Sequence, residues 1–322
     1  MNFIQVLIMT TILGIESTAH TFGAGIVKQE NAKIKFLCNE RDIFKPGIGF
    51  GIEPAKAGKH HEEVSECVLA RALKKANLGL IDIDAIAYSA GPGLPPCLKA
   101  GLLFSRKIAK KYKKVLIPVN HCIAHIEVGK FATGFSNPII LYVSGGNTQV
   151  IGFAAGKYRV FGETLDIGVG NAIDTFAREI GLGFPGGPAL ERIWLKEKDK
   201  QKRFIELPYV VKGMDLCFSG ILSDAVRRYK KNKLDRDKLV YSFQETIYAM
   251  LTEVTERAMA HTGKKECLLT GGVAASIRLR EMLNIMCKER NAEFAVVPYE
   301  YAGDNGAMIA YNGLLIFNDV KS

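Results

Sequence analysis

No Cys-x-x-Cys pair occurs in the 322 residues, and the seven cysteines, at positions 38, 67, 97, 122, 217, 267 and 287, are odd in number and scattered. That pattern excludes a disulfide framework, and the thiols read as buried or idle ones in a reducing compartment. No apolar run is long enough to span a bilayer. The apolar start, Phe3 to Met9, has no basic residue before it and no small-residue cleavage site after it. A first core strand with a short extension is therefore expected rather than a secretory leader. The expected setting is cytoplasmic. Acidic residues are also short: 33 Asp and Glu stand against 43 Lys and Arg, a formal charge of +10. Such a balance suggests a polyanionic partner, of which nucleic acid is the usual one. A Lys-rich solvated surface accounts for it equally well.

The composition that remains, 48% hydrophobic and 24% charged, is that of a globular enzyme, and the length accommodates two domains. Two stretches open alike. Thr11 to Thr18 is an apolar run closing on a small polar turn, followed by a second run at Ala24 to Val27. Ile139 to Thr148 followed by Gln149 to Phe153 repeats the pattern. Each predicts a β-hairpin, and their recurrence half a chain apart predicts a duplicated α/β fold with its cleft between the halves. Gly134, Ser136, Asn137 and Pro138 punctuate the chain, so the division is expected at 1–135 and 136–322. Helices are expected from Glu62 to Ala76 and around Phe243 to Ala258, the second opened by a Ser242–Glu245 capping box. The segment from Gly162 to Pro188 is glycine-rich and reads as a loop that approaches a ligand closely.

Three turns and one histidine pair carry chemistry. Ser144-Gly145-Gly146-Asn147-Thr148 follows a strand, and its amides and hydroxyls suit a phosphate. Thr270-Gly271-Gly272-Val273-Ala274 runs from strand to helix, where a base or ribose can lie against backbone. With Glu16-Ser17-Thr18 they make a three-loop arrangement typical of a split nucleotide site, although double glycines also make plain hairpins. His121 and His125, at i and i+4, share a helix face and can bind one metal ion, or they are two ordinary histidines. Cys122 stands where a zinc protease needs its Glu base, which disfavours that activity. His60 and His61 are adjacent, face apart on a helix and are given no role. Asp304, before a small-residue helix, is an available oxygen ligand.

Gly14 to His20, His121 to His125, Tyr142 to Gln149, Gly162 to Gly168, Phe184 to Pro188, Gly213 to Asp215, Phe218 to Gly220, Gly271 to Ala274 and Asp304 to Gly306 stand in one order along the chain. In that order they resemble the universal tRNA N6-threonylcarbamoyladenosine transferase family, formerly called O-sialoglycoprotein endopeptidases. Tyr142 before Val-Ser-Gly-Gly-Asn-Thr-Gln is similar to the archaeal and eukaryotic branch, whose members sit in the KEOPS complex. The resemblance covers Leu13 to Leu315.

It implies the duplicated fold of actin, Hsp70 and hexokinase (the ASKHA architecture) with a nucleotide cleft between its halves. It implies one iron ion per subunit, with zinc as the alternative, on His121, His125, Tyr142 and Asp304. It implies a threonylcarbamoyl-adenylate site at Tyr142, Val143, Ser144, Gly145, Gly146, Asp174, Gly187 and Glu191; from residue type alone, Asp174 and Glu191 read as a solvated helix face. Ser276 takes the position where the family has Asn, and its shorter side chain weakens that contact. The implied reaction passes the threonylcarbamoyl group from threonylcarbamoyl-AMP to the N6 amine of the adenosine 3′ of the anticodon. No side chain presents itself as general base. Implied partners are tRNA and other KEOPS subunits, including a separate small kinase and a small dimerisation subunit. Lys107, Lys110, Lys111, Lys113 and Lys114, and Arg227, Arg228, Lys230, Lys231 and Lys233, are candidate tRNA contacts or simply wet surface. Rival readings are a phosphotransferase or ATPase of the same superfold, and a nucleotide-binding scaffold without turnover.

Overall fold

A computed structural model describes residues 9–45, 52–197, 204–232 and 235–321. The strand expected over Phe3 to Met9 lies, but for Met9, outside the described residues, as does Lys233. Packing divides the chain into Met1–Val128 with Gly303–Ser322, and Gly129–Ala302.

The first unit is built on β1 (Met9–Glu16), β2 (Thr21–Glu30), β3 (Lys33–Ile43), β4 (Ala85–Gly91) and β5 (Val115–Asn120), in the order β3-β2-β1-β4-β5. The first three strands form an antiparallel meander, and β4 and β5 run parallel to β1. Helices α1 (Pro54–Ala76) and α2 (Pro95–Tyr112) cover one face, where Val68, Leu69, Phe104 and Ile108 join Leu13, Ile15, Phe22 and Ile26 in one core. The helix Gly306–Lys321, α10, lies on the opposite face against β1 and β2. Burial on both faces is why β1 reads as a continuous apolar run rather than an alternating one.

The second unit repeats the plan. Its strands are β6 (Ile139–Val143), β7 (Thr148–Ala154), β8 (Lys157–Glu163), β11 (Glu266–Thr270) and β12 (Glu293–Val296), in the order β12-β11-β6-β7-β8. Again a three-stranded antiparallel meander is extended by two parallel strands. A small ladder, β9 (Val211–Lys212) with β10 (Asp215–Leu216), is bridged to Thr164 just after β8. The helices are α4 (Val169–Glu179), α5 (Gly186–Glu197), α6 (Ser219–Asn232), α7 (Arg236–Thr262), α8 (Ile277–Glu289) and the single turn α9 (Tyr299–Ala302). Phe176, Phe218, Phe243, Ile247 and Leu251 pack with Leu141, Val143 and Leu269 as its core. The duplicated α/β architecture expected from the two hairpins is therefore present. Among the described residues, no helix is long and apolar enough to cross a membrane.

Three expectations are corrected. The glycine-rich stretch from Gly162 to Pro188 is not a loop throughout: it contains α4, entered at Gly168. The Ser242–Glu245 pair is no capping box, because α7 begins earlier at Arg236, capped by the Asp235 side chain on the amides of Asp237 and Lys238. Ser242 sits mid-helix, donating to the Lys238 carbonyl at 2.9 Å and accepting from the Ile205 amide at 2.8 Å. Residues 303–322 pack with the first unit rather than completing a second half 136–322, and the division falls inside α3 (His121–Thr133).

The last correction has a backbone cause. A Cβ placed on Gly25 would come within 2.2 Å of the Ala307 amide nitrogen, and one on Gly14 within 2.2 Å of the Ala310 nitrogen. Only hydrogen at these positions lets α10 lie directly on β1 and β2 and bury Ala307, Met308, Ile309 and Ala310. Gly25→Ala is expected to destabilise the protein by about 3 kcal/mol, the upper range for overpacking, since the obstacle is backbone and cannot rotate away. Gly187→Ala, where an added Cβ meets nothing within 4 Å, is expected to cost less than about 1 kcal/mol. Urea denaturation of the two variants checks this, and equal midpoints would refute it.

Candidate metal centre and nucleotide loops

The parallel strands β1, β4 and β5 end on the same edge of the first sheet, and three segments meet there. Alternation along β1 puts Ile12, Gly14 and Glu16 on the α10 face, so the last residue of the strand turns its carboxylate toward the start of α10. β5 runs straight into α3: the Asn120 side chain accepts the Ile123 amide at 3.1 Å, in the manner of an N-cap. His121 and His125 therefore stand one turn apart at the start of α3, with ring centroids 4.7 Å apart. Asp304 arrives from the far end of the chain, just ahead of Asn305, whose side chain accepts the Met308 amide at 2.9 Å and starts α10.

His125 Nε2 is 3.3 Å and His121 Nε2 3.5 Å from the same oxygen, Asp304 Oδ1. One ligand atom from each of these residues falls within 4.8 Å of the others, a spacing that one ion can bridge. The surroundings are dry, with His121 5% and His125 1% exposed. Behind His121 stands Glu16, wholly buried, whose Oε2 is 3.0 Å from His121 Nδ1. Its other oxygen accepts the Thr18 amide at 2.7 Å and the Thr18 hydroxyl at 2.5 Å. His20 lies at the rim, its Nδ1 4.0 Å from Asp304 Oδ2.

Charge in the group is uneven. Burial works against a proton on His121, but the Glu16 carboxylate, with Asp304 behind it, lifts its pKa to about 9. At His125 burial wins and pushes the pKa down, although Asp304 pulls the other way. Burial also works to raise Asp304, but its contact with His125 and the nearness of His121 and His20 hold it well below the ordinary carboxylate range. Cys122 is pushed up to about 11 by burial and then by the repulsion of Asp304 and Glu16, so its thiol stays neutral. A mixed set of two imidazoles and one carboxylate, with a second carboxylate behind one ring, fits a transition-metal ion. Sequence reasoning assigned Glu16 and His20 no part in this. The available signal was a lone acid ending an apolar strand.

The remaining candidates lie in the second unit. Tyr142 and Val143 end β6 and are buried. Ser144 closes the turn on itself: its amide donates to the Asn147 carbonyl at 2.8 Å, and its hydroxyl accepts the Asn147 amide at 3.0 Å. The Ser144 and Gly145 carbonyls accept the amides of Gly170 and Asn171 at the start of α4, at 3.1 and 3.0 Å. Gly271 has φ +96°, and a Cβ there would meet the Val143 carbonyl at 2.2 Å, so the double-glycine turn lies directly on the end of β6.

Each polar candidate also does backbone work. Asp174 accepts the Gly186 amide at 2.8 Å at the start of α5, and burial raises its pKa. Glu191 accepts the Ile277 amide at 2.6 Å at the start of α8. Ser276 is the N-cap of α8, accepting the Leu279 amide at 3.4 Å and hydrogen-bonding the Tyr248 side chain. Asp174 and Glu191 are thus engaged with helix starts rather than lying on a merely solvated face. These contacts tie the Ser144–Gly145 turn to the start of α4, Asp174 to the start of α5, and Glu191 and Ser276 to the start of α8.

The basic runs are partly neutralised within the chain. Lys107 pairs with Glu66 at 2.9 Å, Lys230 with Glu179 at 2.6 Å and Arg228 with Asp224 at 2.7 Å. Lys110, Lys111 and Lys113 are exposed on and just after α2.

Residues 37–311 match the family model described as tRNA N6-adenosine threonylcarbamoyltransferase. A protein of that name from Thermococcus sibiricus is 55% identical over 305 residues, covering 95% of this chain and 91% of its own. A probable bifunctional tRNA threonylcarbamoyladenosine biosynthesis protein from Methanosphaera stadtmanae is 48% identical over 309 residues, 96% of this chain and 56% of its own. Among solved structures, HypF of T. kodakarensis has a TM-score of 0.65 at 15% identity, over 96% of this chain and 48% of its own, a likeness of fold alone.

The cap at Ser276 has a measurable weight. Ser276→Ala is expected to lower stability by about 1 kcal/mol through loss of the N-cap. Urea denaturation with an unchanged m-value checks it; no shift in midpoint would mean the hydroxyl does not cap α8.

Proposed function

Because the chain belongs to the tRNA N6-adenosine threonylcarbamoyltransferase family, we propose that it passes a threonylcarbamoyl group from threonylcarbamoyl-AMP to the N6 amine of the adenosine 3′ of the anticodon. The amine nitrogen attacks the carbamoyl carbonyl, the new C–N bond forms, the bond from that carbon to the AMP oxygen breaks, and the amine proton leaves with AMP as the other product. The observation that carries the reading is the buried His121–His125–Asp304 group, backed by Glu16, in a chain matched to the family over 37–311.

His121, His125 and Asp304 hold one metal ion, iron by the resemblance and zinc as the alternative; Tyr142 joins the ligand set through the resemblance alone. The ion supplies Lewis acidity toward carbonyl or carboxylate oxygen. The mixed nitrogen and oxygen donors support iron or zinc over magnesium, which favours water and carboxylates. The adenylate is assigned to Tyr142 through Gly146, Asp174, Gly187 and Glu191, with Ser276 at the position of the family's Asn. Holding the adenylate against fixed backbone makes the attack nearly intramolecular. Asp174 and Glu191 already accept backbone amides, so they serve the ligand with their remaining acceptor capacity. A KEOPS-like assembly, with a separate small kinase and a small dimerisation subunit, completes the reading. The bifunctional name of the Methanosphaera relative is in keeping with a second activity working beside this one.

Purified protein, with its partner subunits, tRNA and threonylcarbamoyl-AMP, is expected to release AMP and modified adenosine in equal amounts. AMP release without modified tRNA would overturn the transfer. His121→Ala and His125→Ala are each expected to lose most of the bound metal by elemental analysis, and full occupancy in both would remove the site as drawn. tRNA binding is expected to fall steeply with salt, by about 0.7–0.9 log units of affinity per log unit of salt for every phosphate contacted. No binding at low salt with partner subunits present would rule out direct contact.

A further inference from the structure

The chemistry just proposed leaves Glu16 without a part, yet its side chain is held by three contacts. It is a fully buried carboxylate at the end of β1, where its backbone is fixed by pairing with Gly23. A carboxylate in such a place is costly unless its oxygens are satisfied. Glu16 meets three donors: the Thr18 amide and hydroxyl on Oε1, and His121 Nδ1 on Oε2.

Both nitrogens of the His121 ring therefore face a carboxylate, Nδ1 toward Glu16 at 3.0 Å and Nε2 toward Asp304 at 3.5 Å. The two carboxylates are not equivalent. Asp304 is shared with His125 at 3.3 Å and approached by His20 at 4.0 Å, and it is itself one of the proposed ligands. Glu16 turns one whole oxygen to His121 while Thr18 holds the other.

We infer that Glu16 is the positioning residue of the metal centre: it keeps the His121 proton on Nδ1 and leaves Nε2 bare toward the metal. The inference rests on the metal reading above. A carboxylate behind a ligating imidazole fixes both ring orientation and tautomer.

The cradle makes a sharp distinction between a carboxylate and its amide. The Thr18 amide can only donate, so in the Glu16→Gln variant the new side chain must turn its oxygen to that amide. Its NH2 group then faces His121 Nδ1, two donors oppose each other, and the ring is driven to carry its proton on Nε2, where the metal should bind. A near-isosteric change thus inverts the tautomer without opening a cavity.

The test uses Co²⁺ as the probe on the whole chain, with wild type, Glu16→Gln and His125→Ala compared. Competition titration gives the affinity, and proton NMR of the cobalt-loaded protein gives the exchangeable, paramagnetically shifted ring N–H signals. Wild type is expected to bind one Co²⁺ and to show a slowly exchanging N–H from His121. Glu16→Gln is expected to bind about 10–100-fold more weakly, the usual effect of losing such a partner, and to lose or move that signal. If wild type takes up no Co²⁺, the metal reading itself falls and this inference with it. If wild type binds and Glu16→Gln matches it in affinity and N–H signal, the inference alone is overturned. Should Glu16→Gln not fold, Thr18→Val removes one donor and keeps the charge. Several-fold weaker Co²⁺ binding is then expected, and unchanged affinity overturns the inference.

Discussion

The contact of backbone with backbone, where α10 lies on β1 and β2 at Gly14 and Gly25, governs the first unit. Peptide groups meet there with no side chain between them, at a separation that a single methyl would forbid. Because the helix is seated so deeply, the residues just ahead of it are delivered to the edge of the sheet at a fixed height. Asp304 is one of them. The histidines come from the other direction, off the end of β5, and neither partner needs a long flexible loop to reach the other. A site on rigid elements holds its geometry better than one on loops, which suits three side chains whose ligand atoms lie within 4.8 Å of one another.

The second sheet repeats the first strand for strand. The chemistry differs. In the first unit the edge carries imidazoles and carboxylates that face one another. In the second, Asp174, Glu191 and Ser276 are spent on the starts of α5 and α8, and the carbonyls of Ser144 and Gly145 on the start of α4. Duplication has supplied one scaffold twice, and side chains have given the copies separate work.

Much of this was legible in the sequence, for reasons particular residues make plain. The two hairpins were readable because β1 and β6 are buried runs that end on polar turns, a local pattern. The His121–His125 spacing was readable because i and i+4 share a face on any helix. What escaped was non-local. Nothing near Gly306 announces that its helix belongs with strands at the other end of the chain; Gly14 and Gly25 hold that information, and single glycines have many uses. The Ser242–Glu245 pattern misled because the same two residues serve other partners: Glu245 holds Arg278 through two contacts of 2.8 and 2.7 Å. Glu16 was read as part of a nucleotide turn and not of the histidine group, because a strand-terminal acid shows no such role until its partner, 105 positions away, is in view.

The separation of His121, His125 and Asp304 along the chain also orders events in time. His125 and Asp304 are 179 positions apart, and the second unit is made in between. Domains tend to fold as they emerge from the ribosome. The sheet β1 to β5 and the two histidines are therefore synthesised well before the carboxylate that completes the group exists. Until α10 has emerged and seated itself on Gly14 and Gly25, the nascent chain lacks the Asp304 carboxylate that closes the group. The group is thereby complete only after the whole second unit has been made.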